Sequence, residues 1–215
     1  MKVLVTSGAT REPIDSVRFI SNFSTGKTGA AIASFFESNG ASVSFLHGED
    51  SFVPEGLKDE REFSSFEDLN EKLKRRLSSS KFDAVIHAAA VSDYAPIETA
   101  SGKIDSSHGT LTLTLRRNFK IVERLRSYAS SGPMIVAFKL THTDSGAKRK
   151  YAISRLLGHP GVDAVVHNDY SDIADGIRAF DIYLKAGSSA HCESRDELAS
   201  ALFKIISKRI EGGIP

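Results

Sequence analysis

Short apolar runs alternate with segments of helical spacing along this chain, and the alternation constrains the fold more than any other feature. Lys2–Thr6 is rich in β-branched residues and predicts a strand, whereas Thr25–Ser38 has the apolar spacing of a helix. Ala41–His47 predicts a second strand. Asp83–Ala89 is apolar on both faces, as a parallel strand covered by helices is. Strand, helix and strand in this order predict an α/β fold.

The remaining predicted elements continue the same rhythm. They are a short strand at Glu62–Ser64, helices at Phe66–Ser79, Ile121–Ser130 and Lys148–Leu157, strands at Met134–Leu140 and Asp163–His167, an edge or antiparallel strand at Ala179–Lys185, and an amphipathic helix at Arg195–Ile210. The sequence therefore predicts one unit over residues 1–215, a doubly wound, Rossmann-like fold with a mostly parallel sheet.

Residues 92–118 interrupt this rhythm. The segment is polar, contains Pro96, Gly102 and Gly109, and ends in the alternating run Thr110–Arg117. Long insertions in compact domains are usually functional, so we predict a protruding flap or β-hairpin here. The alternating run has no evident place in a single sheet. We therefore expect it to pair across a subunit boundary, which predicts a homodimer.

Charge and cysteine content narrow the class of protein. Lysine and arginine total 28 against 27 acidic residues, so no basic excess is available for a nucleic-acid backbone, and we expect no nucleic-acid partner. One cysteine, Cys192, favours a reducing compartment, and we expect it to be a small buried side chain. No leader or membrane-spanning run is evident, so we expect a cytoplasmic protein with no membrane association.

A long connection, residues 7–24, precedes the first predicted helix. Parallel α/β folds bind ligands at the carboxyl ends of strands, where a helix N-terminus favours phosphate. Ser24, Gly26 and Lys27 stand at that position and predict a phosphate site. The connection is too long for a dinucleotide fingerprint, and Ser21 replaces the first glycine of a P-loop. Alternatively, Gly26 only allows close packing and Lys27 is solvated.

A second candidate segment, residues 88–93, follows the buried strand Asp83–Ala89. Ala88 and Ala89 would let a flat base or a ribose lie against the backbone, and Asp93 could accept from ribose hydroxyls or lie near a metal. The alternative is that the alanines are tightly packed and that Asp93 caps a helix or turn. The seven histidines show no zinc-ligand spacing, and we expect His87 to be a hydrogen-bonded core residue.

Motifs in three segments of the chain together resemble a known family. They are Arg-Glu-Pro-Ile-Asp, Arg-Phe-Ile-Ser-Asn and Ser-Thr-Gly-Lys within residues 8–29, Ala-Ala-Val-Ser-Asp-Tyr at 89–94, and Gly-Lys-Ile at 102–104. The sequence resembles phosphopantothenate–cysteine ligase over essentially its whole length. That enzyme occurs alone or as the C-terminal half of the bifunctional coenzyme A biosynthesis flavoprotein. With no flavin-binding decarboxylase half in the sequence, we expect the free-standing form.

The resemblance implies an acid–amino-acid ligase that forms a C–N bond in two steps. The carboxylate of 4′-phosphopantothenate attacks the α-phosphorus of CTP, or of ATP in eukaryotes, and gives an acyl-nucleotide and pyrophosphate. The amine of L-cysteine then displaces the nucleoside monophosphate. Negative charge gathers on the phosphoryl oxygens, so electrostatic positioning should dominate catalysis, and Mg²⁺ is the expected cofactor. No metal site made of protein side chains is expected.

The resemblance also implies residue roles. Asn22 falls on the position that holds the acyl-nucleotide, Arg18 lies beside it on the substrate side, and Lys103 matches the essential lysine of the flap. Nucleotide contacts are implied at Gly8, Ala88, Ala89, Asp93, Lys103, Phe119, Lys120, Ile121, Val122, Phe138 and Lys148. In the helix around Lys148 the register is blurred by an insertion, so Lys148, Arg149, Lys150 and Arg155 are equally open to being a solvated face.

Two rival functions and the choice of nucleotide complete the expectations. A nicotinamide-dependent reductase would suit the fold, but the glycine fingerprint is missing and Glu98 stands where Tyr94 would need a lysine. A non-catalytic nucleotide-binding module would not need both Asn22 and Lys103. The opening motif resembles bacterial members, which use CTP, whereas the flap is closer to the eukaryotic pattern. We favour CTP.

Overall fold

The computed structural model describes residues 1–107, 109–143, 145–174 and 179–212. Its strands are β1 (Lys2–Ser7), β2 (Arg11–Pro13), β3 (Phe19–Ser21), β4 (Ser42–Gly48), β5 (Asp59–Phe63), β6 (Ala84–His87), β7 (Tyr94–Pro96), β8 (Leu115–Arg117), β9 (Met134–Thr141), β10 (Ala164–Asp169), β11 (Phe180–Leu184) and β12 (Ser189–Cys192). Its helices are α1 (Lys27–Ser38), α2 (Phe66–Ser79), α3 (Ile121–Tyr128), α4 (Gly146–Leu157), α5 (Tyr170–Ala174) and α6 (Arg195–Ile210).

The central sheet has eight strands in the order β12-β11-β10-β9-β6-β1-β4-β5. The strands from β5 to β10 pair in parallel, and β11 and β12 extend one edge in antiparallel fashion. The predicted mostly parallel α/β sheet is therefore confirmed, and so is the antiparallel strand near Ala179–Lys185. Within the described part of the chain, none of the helices is both long and apolar enough to cross a membrane.

The order of the strands creates a switch point between β1 and β6. From β1 the chain adds β4 and β5 on one side, then returns to the other side of β1 to add β6, β9 and β10. The connections leaving the carboxyl ends of β1 and β6 therefore diverge. In open α/β sheets this divergence opens a crevice that binds ligands.

Apolar side chains on both faces of the sheet form two core layers. Val3 and Val5 of β1 belong to the layer shared with α1 and α6, and Leu4 belongs to the layer shared with α2 and α3. All three side chains are fully buried. The apolar character of β1 on both faces follows from this double cover, and it is why the strand was evident in the sequence.

The helices begin where the sequence provides caps. Ser65 and Ser194 accept hydrogen bonds from the N–H groups three residues later, at the starts of α2 and α6. Ser145 does the same for α4, which begins earlier than predicted. The start of α1 is displaced to Lys27 because Gly26 has a φ of +73° and cannot continue a helix.

Three elements were missed, and the flap differs from its prediction. The hairpin β2–β3, helix α5 and edge strand β12 were not expected. Of the alternating run Thr110–Arg117, only Leu115–Arg117 forms a strand, and it pairs antiparallel with Tyr94–Pro96 of the same chain. The expectation that this strand needs a second subunit to pair with is wrong, because β7 provides the partner edge. His108 of the flap lies outside the described residues.

His87 ends β6 beneath the carboxyl edge of the sheet. Its side chain is buried, and its Nδ1 lies 2.8 Å from Thr6 Oγ1 in a hydrogen bond. Burial lowers the pKa of His87 to about 4. The expectation of a hydrogen-bonded core histidine is confirmed.

Protonation of His87 should make stability depend on pH. Its pKa in the folded chain lies below the ordinary value of 6.5, so the unfolded chain binds the proton first and stability falls as the pH drops below that value. At pH 5 the loss due to His87 should be on the order of 2 kcal/mol. Urea unfolding at pH 7 and pH 5 should therefore show a smaller pH effect in His87→Gln than in wild type.

His191→Gln is the control for this measurement. His191 is exposed, and its hydrogen bond with Asp181 raises the pKa of the imidazole. His191 therefore contributes stability that is present at low pH and is lost as the pH rises, which is the opposite of His87. Its removal should not reduce the fall in stability between pH 7 and pH 5. Equal pH effects in wild type and His87→Gln would contradict the assignment.

Candidate functional site

The crevice at the switch point begins where β1 and β6 continue beyond the sheet as a single bridge between Ala9 and Ala90. The N–H of Ala90 donates to the Gly8 carbonyl at 2.8 Å, and the N–H of Thr10 donates to the Ala90 carbonyl at 3.2 Å. Thr10 Oγ1 then accepts from the N–H of Ser92 at 3.0 Å and donates to Ser92 Oγ at 2.9 Å. The two connections are thus joined over three residues each before they diverge.

Glycines allow a third loop to approach this bridge. Gly8 has a φ of +79°, and a Cβ on it would lie 1.9 Å from Ser51 Oγ. A Cβ on Gly48 would lie 2.4 Å from the carbonyl oxygen of Ala9. The space beside Gly8, predicted as a nucleotide contact, is therefore occupied by Ser51 of the chain itself, and only the main chain of Gly8 is available to a ligand.

The start of α1 lies against the end of β1. Ser7 Oγ donates to the Gly26 carbonyl at 2.7 Å, and a Cβ on Gly29 would lie 2.5 Å from Ser7 Oγ. Gly26 and Gly29 therefore permit close helix–strand packing here. Ser24 and Lys27 are exposed at the same end of the helix, so the packing leaves the predicted phosphate site open. The hairpin β2–β3 fills most of the long connection.

Asn22 follows β3 and reaches the crevice. Its Nδ2 donates to the carbonyl oxygen of Val91 at 3.1 Å, and Ser21 Oγ donates to the carbonyl oxygen of Thr10 at 2.8 Å. These contacts tie the end of the hairpin to both connections that leave the switch point. Asn22 is exposed to solvent there.

The predicted base and ribose contacts lie on the other side of the crevice. Ala88 and Ala89 are half-buried. The N–H of Ala88 donates to the carbonyl oxygen of Thr6 at 3.1 Å, and the N–H of Ala89 donates to Thr6 Oγ1 at 3.2 Å. Asp93 is ion-paired with Lys120, so the structure brings together two of the residues that the resemblance implies as nucleotide contacts. Their side chains remain half-exposed and can be approached from solvent.

The start of α3 offers a ligand fewer side-chain contacts than the resemblance implies. Phe119 packs edge-on against Phe66, with the Arg124 guanidinium over its ring at 3.4 Å. Ile121 is fully buried in the core, so its side chain cannot touch a nucleotide and only its main chain could. Val122 is half-buried against the same core layer.

The remaining predicted nucleotide contacts lie near the ends of β9 and α4. Phe138 is half-buried on β9 and packs against the core, and Lys148 is exposed in the first turn of α4. Arg149 forms an ion pair with the buried Asp169 at 3.2 Å. A hydrogen bond from Thr141, together with the Arg149 charge, lowers the pKa of Asp169. Arg149 is therefore engaged in the protein, whereas Lys148, Lys150 and Arg155 are exposed.

The flap carries Lys103 and is anchored to the hairpin β2–β3 on either side of that residue. Before it, the N–H of Ala100 donates to the Ile14 carbonyl at 3.0 Å. After it, the N–H of Ile104 donates to Asp15 Oδ2 at 3.0 Å. Lys103 itself is exposed. Arg18, predicted on the substrate side, pairs with Asp15 at 2.7 Å.

Two acidic residues of this region were not predicted. Glu12 is buried and its Oε1 accepts from the N–H of Phe66 at 3.0 Å, which joins β2 to α2. Burial raises the pKa of Glu12, although hydrogen bonds from Thr10, Phe66 and Ser92 oppose the rise. Asp15 is buried as well. In the sequence both residues belong to the Arg-Glu-Pro-Ile-Asp motif, and Asp15 precedes Arg18 by three residues.

Sequence comparison gives clear relatives. Over residues 1–210 the chain matches the family described as the DNA/pantothenate metabolism flavoprotein C-terminal domain. It is 37% identical over 167 residues to the coenzyme A biosynthesis bifunctional protein CoaBC of Thermococcus kodakarensis, covering 78% of this chain and 41% of the relative. CoaBC of Vibrio cholerae is 32% identical over 217 residues, covering 97% and 53%. The chain spans about half the length of these relatives.

Solved structures agree with the fold. The crystal structure of the DNA/pantothenate metabolism flavoprotein from Streptococcus pneumoniae superposes with a TM-score of 0.85 at 26% identity, covering 97% of this chain and 99% of that one. The C-terminal domain of CoaBC superposes with a TM-score of 0.79 at 25% identity, covering 98% and 96%. Both similarities extend over nearly the whole of this chain.

Proposed function

The chain belongs to the DNA/pantothenate metabolism flavoprotein C-terminal domain family, and on that premise we propose that it joins 4′-phosphopantothenate to L-cysteine in coenzyme A biosynthesis. The energy would come from a nucleoside triphosphate. One observation carries the proposal: Asn22 is hydrogen-bonded into the switch-point crevice, and Lys103 is exposed on a flap anchored to the hairpin that carries Asn22. The relatives are coenzyme A biosynthesis proteins, which supports the same substrates.

The first proposed step converts an inert carboxylate into a reactive acyl group. A carboxylate oxygen of 4′-phosphopantothenate attacks the α-phosphorus of the nucleotide, and pyrophosphate leaves. Negative charge builds on the phosphoryl oxygens, where the Lys103 ammonium would stabilise it. Because Lys103 is exposed on a flap, its contact would be made chiefly when the crevice is filled, and it would act more on the transition state than on nucleotide binding.

In the second proposed step the amine of cysteine attacks the acyl carbon. The nucleoside monophosphate leaves with the former carboxylate oxygen, an amide bond forms, and the amine proton is released. Asn22 would hold the acyl-nucleotide through this step by donating a hydrogen bond from its side chain. Its tie to Val91 fixes the amide beside the crevice, so little ordering remains to be done on binding.

The proposed binding groups line the crevice on two sides. The phosphate of 4′-phosphopantothenate would lie at the start of α1, near Ser24, Gly26 and Lys27. Support comes from α1 itself, whose N-cap residue, Gly26, has no side chain to cap the helix and whose first turn has no acidic residue, so the helix end favours an anion. The base and ribose would lie near Ala89, Asp93 and Phe138, and Lys148 would face the triphosphate.

Magnesium would enter with the nucleotide. In the described part of the chain, no three His, Cys, Asp or Glu side chains are grouped so as to hold a metal ion. Mg²⁺ commonly keeps several waters and binds through substrate phosphates. We therefore propose that the phosphoryl oxygens hold the ion, where it would neutralise the charge that develops on them. Recognition of the triphosphate by the protein would rest on main-chain N–H groups and exposed lysines.

We propose CTP as the nucleotide rather than ATP. Cytosine and adenine present different edges, and a site that hydrogen-bonds one of them leaves groups unpaired with the other. The candidate groups are main-chain atoms around Ala89 and Phe138.

The proposed reaction is tested by forming the product. Purified chain is incubated with 4′-phosphopantothenate, L-cysteine, Mg²⁺ and either CTP or ATP, and phosphopantothenoylcysteine and pyrophosphate are measured. Product that requires all components would support the ligase, and a higher kcat/KM with CTP would support the choice of nucleotide. Absence of coupled product with both nucleotides would overturn the function, and a preference for ATP of about tenfold or more would overturn only the nucleotide.

Asn22→Asp should impair the second step more than the first. A carboxylate at this position would repel the phosphoryl group of the acyl-nucleotide, which should then be held poorly. Acyl-nucleotide should accumulate relative to coupled product, and mass spectrometry after a rapid quench would detect it. Asn39→Asp, at the far end of α1, is the matched control and should behave as wild type. Equal losses of pyrophosphate release and of coupling would count against the role of Asn22.

Lys103→Gln should lower turnover while leaving nucleotide affinity nearly unchanged. The substitution removes a charge that acts in the transition state, so kcat should fall by about a hundredfold or more and KM for the nucleotide should change little. Lys81→Gln, at the opposite edge of the sheet, controls for the loss of one positive charge. A kcat close to the wild-type value would refute the assignment of Lys103.

We also propose that the chain is a homodimer. The flap exposes four large apolar side chains, with exposed fractions of 52% at Tyr94, 54% at Ile97, 53% at Leu111 and 39% at Leu115. A cluster of this kind on one segment is typical of a protein interface. Light scattering at micromolar concentration should give twice the mass of one chain. Leu111→Asp should lower it to one chain and Tyr151→Asp on α4 should not; a wild-type monomer would contradict the proposal.

A further inference from the structure

Asp15 lies between the hairpin β2–β3 and the flap with its side chain completely buried. Its two carboxylate oxygens have different partners. Oδ1 accepts from the N–H groups of Val17 at 2.9 Å and Arg18 at 2.8 Å, which closes a local turn. Oδ2 accepts from the N–H of Ile104 at 3.0 Å, which links Asp15 to the flap. It also accepts from Arg18 Nη1 at 2.7 Å.

Arg18 holds the same flap residue at its carbonyl group. Its Nη1 also donates to the carbonyl oxygen of Ile104 at 3.3 Å. Both main-chain polar groups of Ile104 are therefore held by a charged pair that belongs to the hairpin. Ile104 directly follows Lys103, so the contact fixes the backbone at the residue next to the proposed catalytic cation.

A second anchor lies shortly before Lys103. The N–H of Ala100 donates to the carbonyl oxygen of Ile14, and Thr99 Oγ1 donates to the carbonyl oxygen of Pro13 at 3.1 Å. Residues 101–103 thus form a short exposed bridge between two fixed points. A short bridge has few conformations, so the position of the Lys103 main chain follows from its anchors.

The charge of Asp15 persists across the physiological range. Burial alone would raise the pKa of this carboxyl, but the N–H groups of Val17, Ile104 and Arg18 and the Arg18 charge outweigh it and lower the pKa to about 2. The hydrogen bond from the Ile104 N–H to the Asp15 carboxylate is therefore charge-assisted. Such bonds are stronger than neutral ones.

We propose that Asp15 is a positioning residue, which holds Ile104 and thereby places Lys103 over the switch-point crevice. The inference rests on the proposed ligase function, since it assigns Lys103 a part in that reaction. Asp15 acts only through the flap and through Arg18. A contact that places a charged group correctly affects turnover strongly, because small displacements of such groups are costly to the transition state.

Asp15→Asn separates the two halves of this contact. An amide can keep its oxygen in the Oδ1 position and so preserve the turn to Val17 and Arg18. Its NH₂ group then faces the N–H of Ile104 and the Arg18 guanidinium. All of these groups are donors, so no hydrogen bond can form between the new NH₂ group and either of them. The turn is kept and the hydrogen bond from the Ile104 N–H to Asp15 is lost.

Asp105→Asn is the matched control. Asp105 lies on the same flap two residues from Lys103, is exposed, and accepts from the N–H and hydroxyl of Ser107 at 3.0 and 2.9 Å. These contacts stay within the flap. The control therefore makes the same chemical change near Lys103 without touching the connection to the hairpin.

Trypsin digestion tests the contact between Asp15 and Ile104 directly, because trypsin cleaves the peptide bond between Lys103 and Ile104. Cleavage there should be about tenfold faster in Asp15→Asn than in wild type and unchanged in Asp105→Asn, since a released segment is cut more readily. In the ligase assay Asp15→Asn should lower kcat by about tenfold to a hundredfold, with KM for the nucleotide within about twofold of wild type. A purely structural loss would reduce the active fraction without this split, and an active-site titration separates the two.

The outcomes are distinct. Unchanged cleavage at Lys103, or faster cleavage with wild-type kcat, would overturn the positioning role while leaving the ligase intact. A wild-type chain with no ligase activity would overturn the proposed function and the positioning role together. If Asp15→Asn fails to fold, hydrogen exchange on the wild-type chain decides: the Ile104 amide should exchange more slowly than that of Lys103, and equally fast exchange would refute the connection.

Discussion

The pairing between the ends of β1 and β6 is the interaction on which the site depends. Because the N–H of Ala90 donates to Gly8 and that of Thr10 to Ala90, two connections that diverge in the fold leave the sheet as one unit. Thr10 and Ser92 extend the joint by side-chain hydrogen bonds. The crevice is built on main-chain geometry at this point, and small residues are needed there so that neighbouring loops can approach.

The flap takes its position from the same first connection. Its anchors at Ala100 and Ile104 both bind to the hairpin β2–β3, whose far end carries Asn22 into the crevice. One hairpin therefore carries one of the proposed catalytic side chains and holds the segment that carries the other. A buried carboxylate, Asp15, supplies the link by charge-assisted hydrogen bonds, which fix geometry better than apolar contacts do.

The parts of the fold that bury apolar surface were predictable, and the parts that depend on distant partners were not. β1 and β6 are apolar on both faces because helices cover both, so their sequences identify them. The three-residue strands of the hairpin have no such pattern, since their pairing rather than their burial defines them. Asp15 could not be assigned, because its partner Ile104 lies 89 residues away. The resemblance placed Ile121 at the nucleotide, and only the structure shows that its side chain is buried.

The acyl-nucleotide route is tested most directly by following the carboxylate oxygen. 4′-Phosphopantothenate labelled with ¹⁸O in its carboxylate is converted with cysteine and the preferred nucleotide, and the nucleoside monophosphate is weighed by mass spectrometry. Attack on the α-phosphorus predicts one ¹⁸O atom in the nucleoside monophosphate and none in pyrophosphate. Labelled inorganic phosphate together with a nucleoside diphosphate would show attack at the γ-phosphorus and would contradict the account.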